Sequence, residues 1–189
     1  MWKVNIPIPL YIILTATQMR LIITDYPITG SFHDSESVTY IHLPSLKIAH
    51  CVGCFGCWTR TPGKCVIRDD APQVYTAIAK CDTVLYISRV VYGSYDVPMK
   101  TMLERAIPVQ QAFIRIHQNE THHIHRNPRL KKATILAYGD LSPEEPEIFR
   151  ELVGRNAKNM NFESYDIIFT TADRLNETAQ QIIGKWERS

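Results

Sequence analysis

No stretch of this chain concentrates charge of one sign. Against 21 Lys and Arg stand 19 Asp and Glu, a formal net charge of +2. No run of basic residues makes a stripe that would track phosphates, so nucleic acid is not an expected partner. Long hydrophobic runs are missing too. The apolar segment from Ile6 to Leu14 is broken by Pro7 and Pro9 and is too short to cross a bilayer. Lys3 alone makes a weak basic region and no good cleavage site follows, which disfavours a signal peptide. Residues 1–18 are expected to be an N-terminal extension, either a hydrophobic arm or a piece upstream of a natural start at Met19. There is no G-x-G-x-x-G fingerprint and no P-loop, which disfavours a dinucleotide-binding Rossmann domain and a nucleotide triphosphatase.

Cysteine is scarce everywhere but one place. Of five cysteines, Cys51, Cys54, Cys57 and Cys65 fall within HCVGCFGCWTRTPGKCVIRDD, residues 50–70. A secreted disulfide framework would spread its cysteines and pair them. An odd, bunched set points to a reducing cytoplasm, with thiols kept for metal, cluster or redox use. Three readings of C-x2-C-x2-C-x7-C stand open. Four thiolates suit a four-iron cluster. They also suit zinc, although ligands in two separated pairs are the commoner pattern. The third is a packed turn without metal. Cys81, at a helix–strand junction, reads as a small core residue.

The rest of the chain alternates strands and helices. MRLIITD (19–25), SVTYIHLPSLKI (37–48), DTVLYISRV (82–90), KKATILAYGD (131–140) and SYDIIFTT (164–171) read as strands. Helices are expected over APQVYTAIAKC, with Asp69 and Asp70 near its cap and Pro72 in its first turn, and over MKTMLERAIPVQQAF (99–113), with Pro108 kinking or ending it. Two more are expected after a Ser142 N-cap and over LNETAQQIIGKWERS. HQNETHHIHRNPR (117–129) reads as a polar loop. Its His117, His122, His123 and His125 fit a solvated surface or an oligomer contact better than a metal site. Residues 19–189 thus predict one α/β domain with a mostly parallel sheet, whose carboxyl-edge loops, 26–36, 50–70, 88–98 and 138–146, make the binding site. Only about a dozen residues join the first two strands, short for the helical crossover that parallel pairing normally uses.

Taken in order, CVGCFGCW…GKCVIRDD and CDTVLYISRVVYGSYDVPMKTMLER resemble the NAD(P)H-dependent FMN reductase and iron–sulfur flavoprotein group. Ser88, Val90, Gly93, Ser94, Pro98, Lys100 and Arg105 stand at the group's motif positions. Arg89 replaces its usual Pro, and Glu104 its Asp. The resemblance implies a flavodoxin-like three-layer sandwich with the first crossover helix shortened or missing. It implies FMN as cofactor, NAD(P)H as donor and a homo-oligomer, acting as an FMN-dependent oxidoreductase. The implied alternatives are an electron-transfer iron–sulfur flavoprotein, with a 4Fe-4S cluster on Cys51, Cys54, Cys57 and Cys65 and a ferredoxin-like donor, or a scaffold that has lost FMN. It places the phosphate at Thr29, Gly30 and Ser31. It places the flavin ring against Ser88, Val90, Val91, Tyr92, Gly93 and Ser94, and against Tyr138 and Gly139 after the fourth long strand. Lys100 and Arg105, five apart, do not share a helix face, so at least one is expected at the surface or in a salt bridge.

Overall fold

Short apolar runs rich in Ile, Val and Leu make the strands, because β-branched side chains pack well on a pleated surface. In the computed structural model, which describes residues 18–30, 32, 37–117 and 119–186, these are β1 (Arg20–Thr24), β2 (Val38–His42), β3 (Thr83–Val91), β7 (Lys131–Tyr138) and β8 (Phe162–Thr170). All pair in parallel, in the order β2-β1-β3-β7-β8. The two-residue strand β4 (Ser94–Tyr95) folds back antiparallel on the end of β3. Residues 1–17 and Ser31, expected to form the arm and a phosphate contact, lie outside the described residues.

Alternation along the central strands sends side chains to two cores. On one face Leu21, Ile23, Val84, Tyr86 and Ile135 meet α2 (Ala71–Lys80), α3 (Val97–Glu104) and α4 (Glu145–Met160), through Val74, Met99, Met102, Phe149 and Val153. On the other, Ile22, Leu85, Ile87 and Leu136 meet α5 (Leu175–Trp186). Among the described residues of the β1–β2 connection, 25–30, 32 and 37, none is α-helical. Instead Ile28 and Phe32, each 2% exposed, drop from that connection onto the α5 core. These two side chains cover part of the sheet beside α5.

The region after α3 departs from expectation. The helix stops at Glu104, and a 3-10 turn, Ile107–Val109, carries Pro108, which lacks the amide to continue it. Gln110–His117 is a strand, β5, and Glu120–His125 another, β6, paired as an antiparallel hairpin with Asn119 at φ 61. Gln110–Phe113, expected as the end of a helix, and His117 and Glu120–His125, expected as loop, are strand instead, and β5 shows no period-two burial to reveal it. Ser142 does not cap α4 with its hydroxyl. Its amide donates to Glu145 Oε2 at 2.8 Å, and the cap position belongs to Glu144.

Candidate functional site

Strand order reverses between β1 and β3, and in open α/β sheets ligands bind outside the carboxyl ends of the strands at such a point. The first residue beyond β1 is Asp25. Its Oδ2 accepts the Ser88 hydroxyl at 2.9 Å and the Arg89 amide at 2.8 Å, and its Oδ1 accepts the Tyr138 hydroxyl at 3.0 Å. One carboxylate therefore ties together the ends of β1, β3 and β7. Burial raises the Asp25 pKa above its usual value, and these donors only partly offset that. Burial, with Asp25's charge beside it, pushes the Tyr138 phenol up as well.

Beside this knot opens a groove of about 560 Å³, lined by Tyr26, Arg89, Tyr138, Gly139, Asp140, Thr171 and Ala172. The rings of Tyr26 and Tyr138 meet edge to face, 6.0 Å between centroids. Gly139 has φ 140, which a side chain would strain. A Cβ there would lie 3.7 Å from Arg89 Cγ, so the arginine stem runs close over the glycine backbone. Arg89 is the exposed member of an otherwise buried stretch of β3, and its guanidinium makes no hydrogen bond or ion pair with the described residues.

Of the residues expected to hold a flavin, Ser88, Tyr138 and Gly139 converge here. Val90 is buried in the core, and Val91 to Ser94 form the hairpin turn from β3 to β4, with Tyr92 at φ 52 and Gly93 at φ 68. That turn leans on α4: the Gly93 amide donates to Glu145 Oε1 at 3.1 Å. Tyr92 stands 91% exposed. The loop after β1 faces inward. The Ile28 amide donates to the Tyr40 hydroxyl at 3.0 Å, and the Thr29 amide and hydroxyl both point to Asn176 Oδ1, at 3.0 and 3.3 Å. Gln180 Nε2 donates to the Thr29 carbonyl, and a Cβ on Gly30 would run into Gln180. The groove thus sets the two tyrosine rings, the Arg89 stem and the Gly139 backbone side by side at the carboxyl edge. In the described part of the first loop, the Ile28 amide and the Thr29 amide and hydroxyl are already bonded to protein.

The cysteine segment packs beside α2, where the Cys65 amide donates to the Tyr75 hydroxyl at 3.1 Å. The short helix α1 (Gly56–Thr59) starts from Phe55 at φ 55. Trp58 stacks on Phe55 and His123 and donates to the Gln110 carbonyl at 3.1 Å, which anchors the segment to the β5–β6 hairpin. All four thiols are free, with Cys54 exposed and the others half-buried. Burial first, then the nearby Cys65, push the Cys57 thiol up. Among the described residues no group of three His, Cys, Asp or Glu is arranged to hold a metal ion. The donor chemistry suits a soft metal, and the arrangement is not closed around a common point. Cys81 is a buried core thiol, as expected, with its pKa pushed up to about 11 by burial.

Two ion pairs were not legible. Arg105, a motif residue, is 1% exposed and forks onto Asp69 at 2.6 and 2.9 Å. His122 bonds Glu120 at 3.0 Å rather than a metal, and Lys158 and Arg155 share the same carboxylate. Asp25 was also missed. Its signal was a lone acid directly after an apolar strand, at the edge where the loops meet.

No protein-family model matches the chain. An iron–sulfur flavoprotein of Archaeoglobus fulgidus is 35% identical over 71 residues, 38% of this chain and 31% of that protein. One of Methanocaldococcus jannaschii is 27% identical over 74 residues, 39% of this chain and 37% of that protein. The matched part thus spans about a third of the length of these relatives. Among solved structures, an azoreductase of Bacillus anthracis superposes with TM-score 0.58 at 10% identity, covering 89% of this chain and 94% of that one. An NAD(P)H:quinone oxidoreductase of Methanothermobacter marburgensis gives 0.58 at 11% identity, covering 87% and 95%. An FMN-dependent NADH-azoreductase of Bacillus anthracis, solved with FMN, gives 0.54 at 10% identity, covering 89% and 96%. The chain therefore has the flavodoxin-like fold of the NAD(P)H-dependent FMN reductases and, over the matched residues, is similar in sequence to iron–sulfur flavoproteins, as the motif resemblance implied.

Proposed function

We propose that this chain is an FMN-dependent NAD(P)H oxidoreductase. The observation that carries the reading is the groove outside the ends of β1, β3 and β7, where Tyr26, Tyr138 and Gly139 offer an aromatic, largely apolar wall. FMN, when bound, would supply the hydride and electron chemistry. The chain's own part is to seat the ring, exclude water from one face and hold the loops rigid through the Asp25 knot. Similarity of fold to an FMN-dependent azoreductase and a quinone oxidoreductase supports the reading. A cytoplasmic setting and a homo-oligomer belong to the same proposal, with residues 19–189 acting as one domain.

The test is the absorption spectrum of protein prepared without air and mixed with FMN. Expected are perturbed flavin bands that NADH or NADPH bleaches. Protein that neither perturbs added FMN nor speeds its reduction would overturn the reading.

A second reading is favoured by the four free, bunched thiols and by the names of the sequence relatives. Here the chain passes electrons from a ferredoxin-like donor through a 4Fe-4S cluster on Cys51, Cys54, Cys57 and Cys65. Anaerobic reconstitution with iron and sulfide tests it. About four irons per chain, lost in Cys57→Ala, are expected. Equal iron in the parent and the variant would sink it.

A further inference from the structure

Among the described residues, no side chain of β5 or β6 belongs to either core. The hairpin is tied to the body near its ends. The Gln110 carbonyl accepts Trp58 Nε1 at 3.1 Å, and Gln110 Nε2 donates to the Asn159 carbonyl at 2.8 Å. Glu120 takes Arg155 at 2.6 Å and Lys158 at 2.8 Å. Between these ties five consecutive residues of β5, Ala112 to Ile116, are exposed, with Phe113 at 69%, Ile114 at 62% and Ile116 at 74%. Neighbouring strand residues point to opposite faces, so both faces of β5 are bare. Among the described residues β5 pairs with β6 alone, and its other edge carries no strand. Open edges are commonly guarded by Lys or Pro, and QQAFIRIH holds neither.

We propose that the outer edge of β5 is an interface with a second copy of this chain, the two β5 strands pairing antiparallel about Ile114. The five exposed residues, AFIRI, name this occupant because they complement themselves in reverse. Pairing about Ile114 sets that residue against its own copy. It sets Ala112 against Ile116 of the partner subunit and Phe113 against Arg115 of the partner subunit, and the two-fold axis repeats both pairs. A small side chain then meets a large one, a guanidinium meets the face of a ring, and the exposed residues are matched with one another alone. Centring the pair on Arg115 would oppose two arginines, which is unfavourable. Centring it on Phe113 would spend Ile116 on Gln110. Pairing also satisfies the outer amides and carbonyls of β5 and turns two marginal two-stranded ribbons into one four-stranded sheet. The inference gives the homo-oligomer of the proposal above its contact and does not depend on flavin binding.

The experiment is sedimentation equilibrium of the full chain under a thiol reductant, with thermal melting to confirm that each variant folds. Expected is a dimer whose dissociation constant rises about tenfold in Ile114→Lys and in Phe113→Lys, since each sets like charges across the axis. Phe113→Glu removes the same ring but turns a carboxylate to Arg115 of the partner subunit, and it should dimerise more tightly than Phe113→Lys. Mild oxidation of Ile114→Cys, followed by peptide mapping, should join position 114 to its own copy, because directly opposed strand residues lie within disulfide reach. Ile116→Cys should not join to itself. A monomeric chain, its hairpin covered from within or by a different protein, overturns the inference. So does a dimer indifferent to Ile114→Lys or to the sign of the charge at position 113, and so does self-joining through position 116. Adding FMN to the same samples keeps the two proposals apart. A monomer that binds FMN defeats this inference alone, and a dimer that ignores FMN defeats the flavin reading alone.

Discussion

Replacing Arg105 with methionine tests whether the cysteine segment is held from below by one buried ion pair. Arg105 Nη1 donates to Asp69 Oδ2 and to the Ala49 carbonyl, both at 2.6 Å, and Nη2 to Asp69 Oδ1 at 2.9 Å. The Cys65 thiol is also in its reach. Asp69 in turn accepts the amides of Ala49 and Ala71, so the pair clasps both ends of residues 49–71. With side chains 1% and 9% exposed, little water can replace the lost partner. Methionine fills the stem's volume but leaves the carboxylate with two backbone amides. Breaking such a pair from one side costs about 3–5 kcal/mol, a large share of the 5–15 kcal/mol typical of a folded domain. At a slope of about 2 kcal/mol per M of urea, the unfolding midpoint should fall by about 2 M. Thiol labelling of Cys51 and Cys65 should speed up in the same variant. Asp69→Asn combined with Arg105→Met should cost less than the two single changes together, because neither partner is then left charged and alone. A midpoint shift worth less than about 0.5 kcal/mol, or strict additivity, would refute the clasp.

Two acids should give pH effects of opposite sign. Burial raises the Asp69 pKa, but its bonds to Arg105, Ala49 and Ala71 outweigh that and leave it below 3.8. Its contribution is therefore present above about pH 4 and fades as pH falls through the lowered folded value, so Asp69→Asn should flatten the acid limb of urea midpoints against pH. Asp25 is the reverse case, raised by burial. Its stabilising contribution is complete below about pH 4 and is lost as pH rises through the folded value, and Asp25→Asn should remove that decline. Profiles parallel to the parent's would contradict either assignment. Gly93→Ala should destabilise by about 1–3 kcal/mol, since φ is +68 and the new Cβ would lie 2.5 Å from Ile148 Cγ2. Unchanged melting would mean that the β3–β4 turn is not docked on α4.

What could be read from the residues was what local pattern carries. The strands at 20–24, 83–91 and 131–138 are apolar and β-branched, and burial on both faces leaves such runs unmistakable. The β5–β6 hairpin was not readable. Its strand QQAFIRIH has Phe113, Ile114 and Ile116 exposed on both faces, so hydrophobic alternation reports no core there. The pairing of Arg105 with Asp69 spans 36 positions, and no local rule joins them. The site shows the same division. Ser88, Tyr138 and Gly139 could be placed by motif and strand order. The occupation of their donors by Asp25 could not, because it depends on how far each strand runs before its loop begins.

The short crossover after β1 links the fold to the chemistry. A helix there would cover the sheet with its side and aim its N-terminal amides at the carboxyl edge, where a phosphate sits. The described residues of that connection cover the sheet with Ile28 and Phe32 and turn the Ile28 and Thr29 amides onto Tyr40 and α5. Phe32 anchors them. Phe32 is 2% exposed, tilts against Tyr40 at 5.5 Å between centroids and shares a core with Ile22 and Ile182. Truncation to alanine opens a phenyl-sized hole in the smaller of the two cores, at a cost of about 3–5 kcal/mol measured by urea unfolding. A loss below about 1 kcal/mol would place Phe32 outside the core. The Ile28 and Thr29 amides would then be free to turn outward, toward the carboxyl edge of the sheet.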